Sequence, residues 1–378
     1  MKLKRWAEKG LKFDWLLFLL VIFLVVFGCV MVHSASMISA ELYYKDEFFF
    51  VKKQIIGGVI GLALMLVFYL LDYHYFTKFR WAILIGGFVL LGLVFIPGLG
   101  VESYGAKRWI NLGITTIQPS ELAKFAFVVF ASVSLAKNYN SVKSIKGVLP
   151  TVIVGGLICI MIILEPNMSI TMVVGLTMLV MLYVGGIKLK HFAVFLIFLA
   201  ITVPVLIIME PYRLRRLTAF LNPWANSKDE GFQLVQSLYS LGNGGLFGVG
   251  IGNSRQKYLF LPFAESDFIF SIIGEELGFL GASVICIIYV LIIIRGIKIA
   301  INAGDRLGAL LASGITSIIA IQFFINIAVV TSSIPPTGLP LPFISAGSTS
   351  LVVFMGAIGV LERIYAHSKR QKFQYNFK

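Results

Sequence analysis

Ten apolar runs, each long enough to cross a lipid bilayer, decide what this chain can become. They fall near 14–33, 55–71, 81–97, 120–136, 148–164, 168–185, 191–209, 267–294, 307–330 and 348–365. A run of roughly 17–25 apolar residues spans about 30 Å of hydrocarbon as a helix. Backbone groups in lipid must be paired within the segment, so these runs are expected to be α-helices. Two-residue alternation with a turn every ten residues is absent, which argues against a membrane β-barrel. The expected fold is therefore an all-α polytopic membrane protein of about ten transmembrane helices, one membrane domain over 1–378. Composition agrees. Only 13% of the residues are charged, whereas a soluble domain is nearer a quarter. Glu165-Pro166-Asn167 alone separates the fifth and sixth runs, which predicts a tight helical hairpin.

The net charge of +14 raises the question of nucleic acid, and the placement of the charge answers it. Basic residues gather in alternate short loops. They include Lys2, Lys4, Arg5, Lys9 and Lys12, then Lys78 and Arg80, then Lys137, Lys143 and Lys146. The series continues with Lys188 and Lys190, Arg295, Lys298 and Arg306, and ends with Arg363, Lys369, Arg370, Lys372 and Lys378. This is the positive-inside pattern of a membrane protein, so no nucleic-acid partner is expected. It places both termini in the cytoplasm and the long polar segment 210–266 outside. Lys52, Lys53, Lys107 and Arg108 blur the contrast on the outer side.

The N-terminus carries basic residues, an apolar run and then Ser34-Ala35-Ser36. The run is long enough to span, so it reads as an anchor and not as a cleaved signal. Cys29, Cys159 and Cys286 all lie within predicted spans and read as buried small hydrophobes. The four His are scattered with no His-x-x-x-His pair, which disfavours a zinc site. Gly57 and Gly61 form a small-xxx-small pair suited to helix packing.

Between 210 and 266 the apolar runs stop, and Asp267 then opens a new one, DFIFSIIGEELGF. A carboxylate at the mouth of a membrane helix, behind the only long loop, is where chemistry is expected. Its bland reading is a helix N-cap, which Asp suits well. The glycine-rich run 242–252 does not give G-x-G-x-x-G, no G-K-[ST] follows and no strand precedes it, so nucleotide binding is rejected. Two readings of it remain open, a tight backbone turn at the membrane surface and a set of free N–H groups facing phosphate. Apolar residues at 232, 234, 235, 238 and 239 suit a short helix lying in the interface. Glu121 and Lys124 share one helix face at the start of the fourth span. They read either as an intramembrane ion pair or as part of a substrate cavity. Glu275 and Glu276, about two turns into the eighth span, read as structural.

Several blocks, in order, resemble a known family. They are Arg108-Trp109-Ile110, Gln118-Pro119-Ser120-Glu121-Leu122-Ala123-Lys124, Tyr212-Arg213-Leu214-Arg215-Arg216 and Asn222-Pro223-Trp224. Then come Gly231-Phe232-Gln233, Gln236-Ser237-Leu238, Gly244-Gly245-Leu246-Phe247-Gly248 and Leu261-Pro262. Asp267-Phe268-Ile269-Phe270, Glu275-Glu276-Leu277-Gly278 and Pro335-Pro336-Thr337-Gly338-Leu339-Pro340-Leu341-Pro342-Phe343 complete the set. Together they resemble the shape, elongation, division and sporulation (SEDS) proteins over essentially the whole chain. Asn326-Ile327-Ala328-Val329-Val330 and Gly231-Phe232-Gln233 look more like the division and sporulation branch (FtsW, SpoVE) than the elongation branch (RodA).

The resemblance implies a peptidoglycan glycosyltransferase that polymerises lipid II at the outer face of the bacterial cytoplasmic membrane, for cell wall synthesis in cell division. The 4-hydroxyl of one sugar attacks the anomeric carbon of another, and a lipid-linked pyrophosphate leaves. Asp267 matches the family's catalytic aspartate and is expected to be the general base. Arg213, Arg215, Arg216, Arg108 and Lys107 are candidate pyrophosphate contacts, with anchoring to lipid headgroups as their alternative. Gln233, Ser237, Glu121 and Lys124 complete the expected substrate site. No cofactor is certain, and a divalent cation (Mg2+ or Mn2+) is the one candidate, with unknown ligands. Expected partners are lipid II, membrane lipids, a class B penicillin-binding transpeptidase and other divisome proteins. Two departures stand out. The family's Pro-Asp-x-Gly-Thr reads Pro166-Asn167-Met168-Ser169-Ile170, and its Ser-Tyr-Gly-Gly-Ser-Ser reads Ser345-Ala346-Gly347-Ser348-Thr349-Ser350. A lipid II flippase, an elongation-type polymerase and an inactive scaffold are the alternatives. The absence of an internal repeat speaks against the flippase, and Asp267 speaks against the scaffold.

Overall fold

The computed structural model describes residues 12–103, 106–111, 113, 116–227, 229 and 231–375. Lys2, Lys4, Arg5, Lys9 and Lys378 of the basic clusters lie outside them. Three helices come first: α1 (Trp15–Tyr44), α2 (Phe49–Leu70) and α3 (Tyr75–Leu93). A small antiparallel sheet follows, β1 (Gly100–Ser103), β2 (Ala106–Asn111) and β3 (Thr116–Ile117), in the order β1-β2-β3. Next come α4 (Pro119–Lys137), α5 (Ile145–Leu164), α6 (Met168–Gly185), α7 (Leu189–Ile208), α8 (Pro211–Leu221) and α9 (Phe232–Gly244). The chain closes with α10 (Ile269–Ile301), α11 (Arg306–Val330) and α12 (Ser348–Tyr375). Among the described residues ten of these helices are long and apolar enough to cross a membrane; α8 and α9 are the other two. The protein is a multi-pass membrane protein, as the runs predict. The first span is longer than its apolar run, because Ser34, Ala35 and Ser36 are small enough to be buried inside the helix.

Ten spans alternate in direction, so the sheet, the 165–167 turn, the 209–268 segment and the 331–347 loop share one end of the bundle. Local chemistry sets the helix starts there. Pro119 opens α4, where the missing N–H is harmless, and Glu121 sits in its first turn. Asn167 caps α6, its side chain accepting from the Ile170 N–H at 3.3 Å. The buried core runs through α4, α11 and α12, each largely enclosed. α7 by contrast buries none of its residues.

The 331–347 loop crosses this end with non-helical backbone, which is tolerated at membrane depth only when protein pairs its groups. Many elements contribute. Gln54 on α2 donates to the Ile344 and Ser345 carbonyls, each at 3.3 Å. Tyr289 on α10 donates to the Pro342 carbonyl. Ser345 donates to the Ser266 carbonyl at 2.6 Å, and the Ala346 N–H to the Glu265 carbonyl at 2.9 Å. Gly28 on α1 lies so close that a Cβ there would meet the Ile344 Cα at 2.8 Å.

Candidate functional site

Asp267 stands one turn-residue before α10, and three features fix it. Asn326, buried on α11, donates one N–H to the Asp267 carbonyl and the other to the Leu339 carbonyl, both at 2.8 Å. Gly338 packs against the carboxylate, and a Cβ there would sit 3.1 Å from Asp267 Oδ2. The Ser266 side chain hydrogen-bonds the carboxyl. Asp267 does not cap α10: that position is Phe268, without a side-chain cap bond. The bland reading of the aspartate therefore does not describe this structure. Burial pushes its carboxyl up to about 6, against the downward pull of Ser266, Arg216 and Arg108. At neutral pH it is largely ionised, yet basic enough to accept a proton.

The neighbours of Asp267 converge on the loop segment 336–338. Arg216 on α8 donates to the Pro336 carbonyl at 3.4 Å, and its guanidinium lies 4.9 Å from the Tyr212 ring centroid. Ser169 on α6 donates to the Thr337 carbonyl. Arg108 on β2 donates to the Glu165 carbonyl at 3.3 Å and to the Pro166 carbonyl. A groove of about 480 Å³ opens beside Arg216 and is lined also by Asp229, Phe232, Gln233 and Pro262. Two guanidinium groups, a carboxylate and an open groove thus share one end of the bundle. That arrangement suits an anionic substrate with a reacting hydroxyl.

The remaining sequence candidates divide. Arg108, Arg216 and Gln233 lie at the site. Arg213 instead turns back to the Leu206 carbonyl at 2.8 Å and closes the end of α7. Arg215 and Lys107 are exposed. The structure does not bring Ser237 to the groove. It is fully buried, donates to the Val330 carbonyl at 2.7 Å and lies 2.8 Å from the Ser271 hydroxyl, joining α9 to α10 and α11. Glu121 and Lys124 form a fully buried pair at 2.8 Å, and Lys124 also donates to Gln322 at 2.5 Å. Gln322 lies one turn from Asn326 on α11, so the pair sits one layer inside Asp267. Glu121 Oε1 and the Gln322 amide nitrogen have no partner, which leaves this layer polar and incompletely paired.

Sequence reading missed Asn326, Gly338, Ser169 and Gln322 as site residues. The signal was available for two of them, since Gln322 and Asn326 are amides in the middle of an apolar run, where polar groups are costly. Three N–H groups of the glycine-rich run are taken up within the fold and are not offered to phosphate. The Gly248, Val249 and Gly250 N–H groups bond the Gly244, Glu275 and Glu276 carbonyls at 2.7, 3.0 and 3.0 Å. No group of three or more His, Cys, Asp or Glu side chains among the described residues could hold a metal ion.

Comparison with known proteins matches this arrangement to one family. The FtsW, RodA and SpoVE family model, described as "Cell cycle protein", matches residues 14–370. Stage V sporulation protein E of Bacillus subtilis is 40% identical over 360 residues, covering 94% of this chain and 98% of that protein. The protein named "Probable peptidoglycan glycosyltransferase FtsW" of Geobacter sulfurreducens is 38% identical, covering 95% and 96%. Among solved structures, one described as "Structural coordination of polymerization and crosslinking by a peptidoglycan synthase complex" shares the fold with a TM-score of 0.79. It is 24% identical and covers 95% of this chain and 98% of that one. Thermus thermophilus RodA shares the fold with a TM-score of 0.69 at 23% identity, again covering 95% and 98%. With a family match running over nearly its whole length, the chain belongs to the FtsW, RodA and SpoVE family.

Proposed function

We propose that this protein is a peptidoglycan glycosyltransferase of the division and sporulation type, polymerising lipid II at the outer face of the bacterial cytoplasmic membrane. The observation that carries the reading is Asp267, held by Asn326 against Gly338 with Arg216 and Arg108 close enough to pull on its charge. Asp267 takes the proton from the attacking sugar hydroxyl as the new glycosidic bond forms. Arg216 and Arg108 stabilise the charge that builds on the departing lipid pyrophosphate. The groove beside Arg216 is open to a chain of sugars.

The partner in this reading is a class B penicillin-binding transpeptidase, with other divisome proteins and membrane lipids around it. The structural likeness to a peptidoglycan synthase complex supports it. The decisive experiment supplies lipid II to the protein purified with its cognate transpeptidase, whose crosslinking site is blocked, and looks for glycan ladders. The parent is expected to give ladders. Asp267→Asn keeps the size of the side chain but cannot accept the proton, and is expected to lose about 10²–10⁴ in rate. No polymer from a folded parent, with lipid II translocation in liposomes, would replace this reading with a flippase.

A further inference from the structure

Glu165 ends α5 in the turn that carries Arg108's two carbonyl contacts. It is 1% exposed, and neither carboxyl oxygen has a hydrogen-bond partner. A bare carboxylate buried without a partner is strongly disfavoured, so such a group either holds a proton or awaits a ligand. Its backbone ends α5 and accepts from Arg108, but its side chain caps no helix, since Asn167 caps α6. The turn is joined to the Asp267 seat through α6. Ser169 bonds the Thr337 carbonyl, and the next residue, Gly338, packs on the Asp267 carboxylate.

Resting on the glycosyltransferase reading, we infer that Glu165 is a second functional carboxyl of this site, a neutral acid that hydrogen-bonds the lipid-linked pyrophosphate and protonates it as it leaves. The step balances. Asp267 gains the proton of the attacking hydroxyl, the glycosidic bond forms, and the bond from the anomeric carbon to pyrophosphate oxygen breaks. The Glu165 O–H bond breaks as its proton passes to a phosphate oxygen. Exchange with water then reprotonates Glu165 and deprotonates Asp267.

The electrostatics agree with this role. Burial raises the Glu165 carboxyl to about 8, with Arg108 the charge that pulls it down. The other charges of the site are Asp267 and Arg216 towards the groove, and Glu121 and Lys124, which pair with each other on α4. Asp267 and Glu165 therefore stand on opposite sides of neutrality, as a base and an acid of one reaction should.

Two measurements test the inference. The first is the infrared difference spectrum of the full-length parent minus Glu165→Gln, recorded across pH. A carbonyl band of a protonated carboxylic acid is expected, lost as the pH rises through about 8. The second is the pH dependence of lipid II polymerisation by the complex. The parent is expected to lose rate on the alkaline side near the same pH. Glu165→Gln keeps a hydrogen-bond donor but has no proton to transfer, so it should fall about 10²-fold or more at neutral pH, and its residual rate should lack that limb. Glu165→Ala should lose about 10²-fold or more, the usual scale for a general acid. Three results overturn the inference: no acid band, an alkaline limb that survives in Glu165→Gln, or a Glu165→Gln variant as fast as the parent at neutral pH. Failure of the parent itself to polymerise would instead overturn the reading on which the inference rests.

Discussion

Adding one methyl group at Gly338 tests the seat of the Asp267 carboxylate. Gly338 has φ of +67°, in the left-handed region, and its missing Cβ would lie 3.1 Å from Asp267 Oδ2. Gly338→Ala therefore has two effects. The left-handed backbone costs an alanine about 1–2 kcal/mol in stability. The methyl also falls inside ordinary contact distance and displaces the carboxylate by a few tenths of an ångström. A shift of about 1 Å at a reacting group costs about 10² in rate, so a fraction of that shift predicts a loss of about tenfold. Gly98→Ala separates the two effects. Gly98 has φ of +89° with nothing near its missing Cβ, so that variant carries the backbone cost alone. Polymerisation of lipid II by both variants, normalised to folded protein, is the assay. Equal rates for the two would refute the contact between Gly338 and Asp267 as a determinant of activity.

Polymerisation should fall as the pH drops through about 6, because Asp267 must be ionised to accept a proton and its folded-state pKa is raised to that value; an acid limb in the ordinary carboxylate range near 4 would remove Asp267 from the role. Lys124→Met should destabilise the protein by about 3–5 kcal/mol by leaving Glu121 buried and unpaired, and adding Glu121→Gln should recover much of it. Thermal unfolding in detergent checks this, and a double variant less stable than Lys124→Met alone would contradict it. Arg216→Lys should reduce turnover strongly while Arg213→Lys leaves it near the parent, since only Arg216 lines the groove and Arg213 closes α7. Equal rates in the two variants would return the cluster to a headgroup anchor.

The spans were legible because hydrocarbon thickness and backbone pairing leave a chain few choices. The position of Asp267 was legible too, as the first charge after a long polar break. Its surroundings were harder to read, because they come from distant parts of the chain. Asn326 lies 59 residues beyond Asp267, and Ser169 meets a carbonyl 168 residues away. Proximity in sequence also misled. Arg213, Arg215 and Arg216 look like one cluster, yet Arg213 turns back to the Leu206 carbonyl and Arg216 reaches the Pro336 carbonyl. Ser237 stands four residues from Gln233 on one helix face, yet one turn along it meets Val330 and Ser271 in the core while Gln233 lines the groove.

The glycine-rich run and the paired glutamates, which the sequence presents as separate features, are halves of one device. α10 breaks at Gly278, whose φ of +68° and ψ of −171° are not helical. In an unbroken helix the Phe279 and Leu280 N–H groups would bond the Glu275 and Glu276 carbonyls. Here those carbonyls take the Val249 and Gly250 N–H groups, and the freed Phe279 and Leu280 N–H groups donate to Gly245 and Leu246 at 2.8 and 3.1 Å. The run is spliced into the helix bond for bond. Only glycine permits so close a crossing: a Cβ on Gly248 would overlap the Glu276 carbonyl oxygen, and one on Gly278 would overlap the Gly248 nitrogen. The side chains of Glu275 and Glu276 then hold the next stretch. Glu275 accepts from the Ser254 hydroxyl and from the Arg255 and Gln256 N–H groups, and Glu276 from Ser34 at 2.6 Å, with Lys257 at 3.7 Å. Two acids within a membrane helix thus have partners supplied by the outer segment and by Ser34 of α1. That segment returns directly to Asp267, so the splice fixes both ends of the chain that presents this carboxylate.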